Sequence, residues 1–111
     1  MARSLNQVTL MGNLTRDPEL RDANGQNVVG FSLALNRSYK QDDEWKEATD
    51  YIDITAWGNL ATQVSENVNK GDRVLVSGRL QSRSWEQDGV KRNKVEVLAT
   101  DVTFLDRDTT E

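Results

Sequence analysis

Tyr51 and Trp57 stand six positions apart in the stretch Asp50-Tyr51-Ile52-Asp53-Ile54-Thr55-Ala56-Trp57-Gly58, in the same phase as an acid and a hydroxyl. In an extended strand successive side chains point to opposite faces, so Ile52, Ile54 and Ala56 form one apolar row and Tyr51, Asp53, Thr55 and Trp57 form the other. A strand that needed only a core partner would carry its rings with the isoleucines. Rings beside Asp53 and Thr55 mark a wet surface with flat apolar platforms, about 20 Å apart at roughly 3.3 Å per residue. That spacing suits an extended ligand with several stackable rings, of which single-stranded nucleic acid is the commonest. A second sheet or subunit covering this face is the alternative, because Trp and Tyr also favour protein interfaces. Farther on, Arg79, Gln81, Arg83 and Trp85 share a phase opposite Val74, Val76 and Leu80. Guanidinium groups can hold phosphates while an indole stacks on a base. A solvated strand edge accounts for Arg83 alone, but poorly for three outward aromatics on two strands.

The rest of the inventory argues against catalysis. There is no His, hence no ordinary neutral-pH base, and no Cys, hence no disulfide framework or thiolate metal site. No nucleophile with a base and no phosphate-cradling Gly loop occurs, so neither enzyme nor cofactor is expected. Asp42-Asp43-Glu44 reads as a solvated hairpin tip rather than a metal site. Trp45 beside it is either a fifth stacking platform or a local anchor for that tip. Fourteen Lys and Arg against eighteen Asp and Glu give a net charge of −4, the wrong sign for a generic polyanion binder. Any nucleic-acid site must therefore be a local basic stripe, and Arg79 to Trp85 supplies one.

These residues need a scaffold of strands. The 111 residues suffice for one domain with a modest core. In the first strand Val8, Leu10, Gly12 and Leu14 share a face, Gly12 marks a bend, and Pro18 breaks the pairing before Leu20 and Arg21 resume it. Asn24-Gly25 turns the chain into a second strand with Val29, Phe31, Leu33 and Leu35 on one face. A charged excursion over 40–47 forms the tip of a long hairpin that returns through Tyr51. Leu60, Val64 and Val68 recur at helical spacing, with Asn59 as N-cap and Lys70-Gly71 as the stop. Val74, Val76 and Leu80 mark an inward row of the fourth strand, and Asp88-Gly89 turns into a fifth beginning near Val95. There the apolar phase shifts from odd positions to Leu98, Val102 and Phe104, as a bulge near Ala99 or a strand switching faces would cause. The fold class expected is all-β with one short helix: the OB-fold, a five-stranded Greek-key barrel with the helix between strands 3 and 4. The domain spans 1–105, and 106–111 reads as a short polar end. Apolar alternation from Leu5 leaves no room for a signal peptide, and no apolar run is long enough to span a membrane, so a cytoplasmic protein without membrane partners is expected.

Several stretches resemble the bacterial-type single-stranded DNA-binding proteins. The opening Leu5-Asn6-Gln7-Val8-Thr9-Leu10-Met11-Gly12-Asn13-Leu14, followed by Asp17-Pro18-Glu19, carries the likeness most specifically. It continues through Phe31-Ser32-Leu33-Ala34, Lys46-Glu47-Ala48-Thr49-Asp50-Tyr51, Ala56-Trp57-Gly58, Lys70-Gly71-Asp72-Arg73-Val74 and Gly78-Arg79-Leu80-Gln81-Ser82-Arg83-Ser84-Trp85. The resemblance implies binding of single-stranded DNA with little sequence preference during replication, recombination and repair. It places base-stacking rings at Tyr39, Tyr51, Trp57 and Trp85, although strand parity alone puts Tyr39 inside. Its matching basic positions are Arg3, Arg21, Lys70 and Arg83, while Gln7, Asp53, Asn59 and Gln81 stand where many members carry a basic residue. The family also implies a homotetramer, with a dimer as runner-up, and a nucleoid-associated bacterial location. The family reaches replication and repair enzymes through a flexible, acidic-tipped tail; here the sequence stops at Glu111, either because the tail was removed or because this is a tail-less member, so those partners are expected only if a tail exists in the full-length protein. An RNA-binding or primosomal replication-restart module and a protein-interaction domain are the competing readings.

Overall fold

The structure, a computed structural model, describes residues 3–105; the polar end expected over 106–111 lies outside them. Six strands and one helix follow in the order β1 (Val8–Leu14), β2 (Glu19–Ala23), β3 (Gln26–Gln41), β4 (Glu44–Trp57), α1 (Asn59–Asn67), β5 (Arg73–Gln87) and β6 (Val90–Phe104). β1 and β2 are two segments of the first expected strand, separated where Pro18 removes a ladder donor, and both pair antiparallel with β3. Taken as one, they leave the helix between the third and fourth strands. Hydrogen-bonded neighbours run β1-β5-β6-β4-β3, and the β1–β3 pairing returns to the start, closing a five-membered ring.

Close approach of backbones explains two glycines. β1 switches partners at its end, pairing with β5 through Asn13 and with β3 through Asn13 and Leu14. A Cβ on the neighbouring Gly12 would lie 2.6 Å from the Ala34 carbonyl oxygen, so only glycine lets the strand bend across β3. Likewise a Cβ on Gly78 would run into the Leu98 carbonyl oxygen. Here the β5–β6 ladder slips: Gly78 faces Ala99 while Ser77 faces Asp101, leaving Thr100 unmatched. This bulge is the phase shift expected near Ala99, since Val97 and Ala99 are buried before it and Val102 after it.

All three hairpins turn on two residues with positive φ: Asn24 and Gly25, Asp42 and Asp43, Asp88 and Gly89. Such turns match the twist of the flanking strands and hold the register. The excursion expected over 40–47 is therefore mostly ladder, with Lys40 opposite Trp45 and Gln41 opposite Glu44. β6 likewise starts at Val90, earlier than expected, because its register with β5 runs to Gln87.

The helix expectation needs one correction. Gly58, with φ 68, caps α1 without a side-chain hydrogen bond, and Asn59 is the first helical residue. The Asn59 side chain thus has no capping role, and the entry is fixed from β3 instead: Gly58 N–H donates to the Asn27 carbonyl at 2.9 Å and Asn27 Nδ2 donates to Thr62 Oγ1 at 2.9 Å. Ala61, Val64 and Val68 plug one end of the barrel against Val29, Leu33, Ile54, Val74, Val76 and Val97. The other end is open. Leu80, expected in the core, is 47% exposed there because β1 begins opposite Gly78. On that side the extended segment before β1 reaches Leu80, where Asn6 Nδ2 donates to its carbonyl and its N–H donates to Asn6 Oδ1, each at 2.8 Å, while its other edge pairs with Val97 of β6.

Candidate functional site

β4 carries its aromatics outward, as its alternation demands. Ile54 and Ala56 are buried, whereas Tyr51 and Trp57 are 66% and 43% exposed. The β3–β4 register explains why the surface around them is low. Tyr51, Asp53, Thr55 and Trp57 stand opposite Ala34, Ser32, Gly30 and Val28. Gly30, with no side chain beside Thr55, leaves the face low between the two rings. Trp45, 73% exposed, continues the same face, so Trp45, Tyr51 and Trp57 recur every six residues along one strand. The Trp45 ring is largely solvent-facing beside the hairpin tip, with Lys40 opposite it.

Tyr39 belongs to the other face. Its phase is that of Val29, Leu33 and Leu35, and it lies opposite Lys46. Yet it is 37% exposed, because the β3–β4 hairpin has outrun the barrel by that point and its inner face meets solvent. Arg37 lies over the Tyr39 ring at 5.7 Å and donates through Nε to Asp50 Oδ2 at 3.0 Å, stiffening this arm. On the β5–β6 hairpin, Trp85 faces Arg92 and carries Arg83 over its ring at 5.3 Å.

A groove of about 460 Å³ crosses the outer face of the barrel from β2 over β3 and β4 to β5 and β6. Trp57 lines it, together with the expected cations Arg21 and Arg83. Arg21 is placed by register: it faces Val28, which faces Trp57, so all three share one cross-strand row. Arg3, Lys70 and Arg79 do not line this groove. Arg3 is exposed in the segment before β1, and Arg79 is exposed on β5 opposite Leu98. Lys70 sits in the turn after α1, where its N–H donates to Asp17 Oδ1 at 2.8 Å.

Residues that strand phase did not single out complete the site. Lys94 and Glu96 on β6, with Arg16, Glu19 and Asp22 near β2, also line the groove. Its basic stripe is therefore interleaved with carboxylates. Lys94 Nζ is ion-paired with Asp53 Oδ2, and Arg83 Nη2 lies 3.8 Å from Glu96 Oε2. The Lys94–Asp53 pair depends on the parallel β4–β6 contact, Ile54 with Val97 and Thr55 with Leu98, which no local signal reveals, whereas Arg83 and Glu96 are diagonal neighbours on the β5–β6 ladder, where Arg83 faces Lys94 and Gln81 faces Glu96. Chemically, the face offers rings for stacking, guanidinium and ammonium groups for anions, and a shallow floor between them.

The architecture matches known proteins closely. The structure superposes on a Plasmodium falciparum SSB solved in complex with ssDNA, with a TM-score of 0.88 and 30% identity over 96% of this chain and 99% of that one. A deletion mutant of the single-stranded DNA-binding protein from Thermus aquaticus gives a TM-score of 0.84 and 33% identity, over 96% of this chain and 53% of that one. In sequence, the chain is 42% identical to single-stranded DNA-binding protein 2 of Chlorobaculum tepidum, covering 93% of this chain and 72% of the relative. It is also 42% identical to the single-stranded DNA-binding protein of Treponema pallidum, covering 91% of this chain but 58% of the relative. No helix among the described residues is long and apolar enough to cross a membrane. With residues 5–105 matched by the model of the single-strand binding protein family, the chain belongs to that family.

Proposed function

We propose that the chain binds single-stranded DNA with little sequence preference, protecting it in the cytoplasm during replication, recombination and repair, and that it does so as a binding protein without catalytic chemistry. The observation that carries this reading is the outward row of β4, where the exposed Tyr51 and Trp57 rings stand six residues apart and Trp57 and Gly30 line the groove. Tyr51 and Trp57 stack on bases along that row, Trp45 extends it towards the hairpin tip, and Tyr39 and Trp85 stack from the two hairpin arms. Arg21 and Arg83 hold phosphates within the groove, and Arg3, Arg79 and Lys70 do so along the path beyond it. Nothing in this scheme reads a base edge, which is why sequence matters little. The Plasmodium relative solved with ssDNA supports DNA rather than RNA as the ligand.

The chain acts as a homotetramer in this reading. Between Val8 and Gly12, β1 is paired on its β5 side only, which leaves a strand edge that a second copy can extend. Closed two-fold pairing followed by packing of dimers buries such edges, and several barrels give one DNA strand many platforms. A fluorescence titration with oligo-dT tests the binding. Quenching of the three tryptophans, with weaker quenching by oligo-U, is expected. Absence of any response to either strand refutes the function, and a preference for oligo-U replaces it with the RNA-binding reading.

A further inference from the structure

We infer that Asp53 and Glu96 are built-in competitors for the groove's phosphate-binding cations, and that they set how tightly and how salt-sensitively this chain holds single-stranded DNA. The inference rests on DNA lying along this groove. The β4–β6 pairing of Ile54 with Val97 brings the preceding residues, Asp53 and Glu96, to adjacent strands on the outer face. Two groove cations are cross-strand partners on the neighbouring ladder, Arg83 opposite Lys94. The result is a compact set of two carboxylates and two cations, with Lys94 on Asp53 and Arg83 on Glu96.

The two pairs are unequal. Asp53 and Lys94 are both partly exposed, a contact that solvent and salt weaken easily. Glu96 is only 6% exposed, and a carboxylate so buried needs a cation to remain charged at low cost. Arg83 at 3.8 Å provides one loosely, being drawn also to the Trp85 ring. A phosphate arriving at Lys94 or Arg83 must therefore displace a carboxylate that already occupies it. Each cation so occupied contributes less to affinity, and fewer counterions leave the DNA in net terms than the number of basic residues suggests.

Removing a competitor reveals its effect. In oligo-dT titrations across a series of salt concentrations, Asp53→Asn should raise affinity about 2- to 5-fold at low salt, the range of an exposed ion pair. It should also steepen the slope of log affinity against log salt by about 0.7, one single-strand phosphate. Glu96→Gln should act in the same direction through Arg83, with circular dichroism and thermal melting confirming its fold. The deciding arm is Asp53→Asn in a Lys94→Met background, where the gain should vanish. An unchanged slope in Asp53→Asn overturns the inference, as does an equal gain with or without Lys94, which would make Asp53 merely one more negative charge. If the unaltered chain binds oligo-dT normally in those cases, the proposed function stands while this inference falls; if it does not bind at all, both fall.

Discussion

Trp57 shows how one residue joins fold and site. Its neighbour Ala56 is buried, and the half-turn per residue of an extended strand leaves the indole half exposed over Val28, in line with Arg21 on β2. Replacing Trp57 with Ala should weaken oligo-dT binding by about 1 to 3 kcal/mol, the range general to base stacking in single-strand-binding OB-folds, with little dependence on base sequence. Isothermal calorimetry with dT, dA and dC oligomers checks both halves of that expectation, and an unchanged affinity would remove Trp57 from the DNA path. At this scale the sequence was legible wherever local phase decides orientation: Tyr51, Trp57 and their acid and hydroxyl neighbours face outward as the alternation requires. Tyr39 was not, since its phase points to the interior. Only the length of the hairpin, which carries it past the end of the core, turns that inner face to solvent. Lys94 and Glu96 were illegible for a different reason. Their partners Asp53 and Arg83 come from other strands, one of them across a parallel contact that no short-range pattern encodes.

Among the elements, β3 is the one whose role the rings conceal. Gly30 on its outer row keeps the surface beside Thr55 low, and a Cβ added there would meet no heavy atom within 4 Å beyond its chain neighbours. Gly30→Leu should therefore leave the thermal melting temperature nearly unchanged while filling the low surface beside Thr55. A loss of oligo-dT affinity of about 1 kcal/mol or more is expected, comparable to losing one stacked base. If binding is unaffected, the DNA does not cross β3. The elements themselves could largely be anticipated from periodicity, because apolar alternation and the Asn-Gly and Asp-Gly turns act over a few residues. Helix entry was misjudged because Gly58 reaches a left-handed conformation that makes a side-chain cap unnecessary. Asp42 and Asp43 adopt positive φ without any glycine, so a charged stretch that read as a loop is instead a tight turn between paired strands.

At the scale of the whole molecule, the net charge of −4 was an imperfect guide, because it does not register that the fold brings Arg21, Arg83 and Lys94 into one groove. Assembly is the property to measure here. Light scattering of the free protein at micromolar concentration should give a mass near four chains of 12.5 kDa; a mass near one chain refutes closure of the β1 edge by another copy, and a mass near two limits assembly to the first pairing. The barrel ring also has a weak point. β3–β4 and β5–β6 are long hairpins between consecutive strands, whereas β4 and β6 meet in two residue pairs only. Hairpins close over short loops, while the β4–β6 contact joins residues more than forty positions apart and is matched by few hydrogen bonds to offset that entropy. The ring therefore has two short closures, β1–β3 at Asn13 and Leu14 and β4–β6, and of the two β4–β6 closes the longer stretch of chain. Asp53 sits directly beside β4–β6, so the same two rungs that complete the barrel also decide when the Lys94–Asp53 pair of the groove exists.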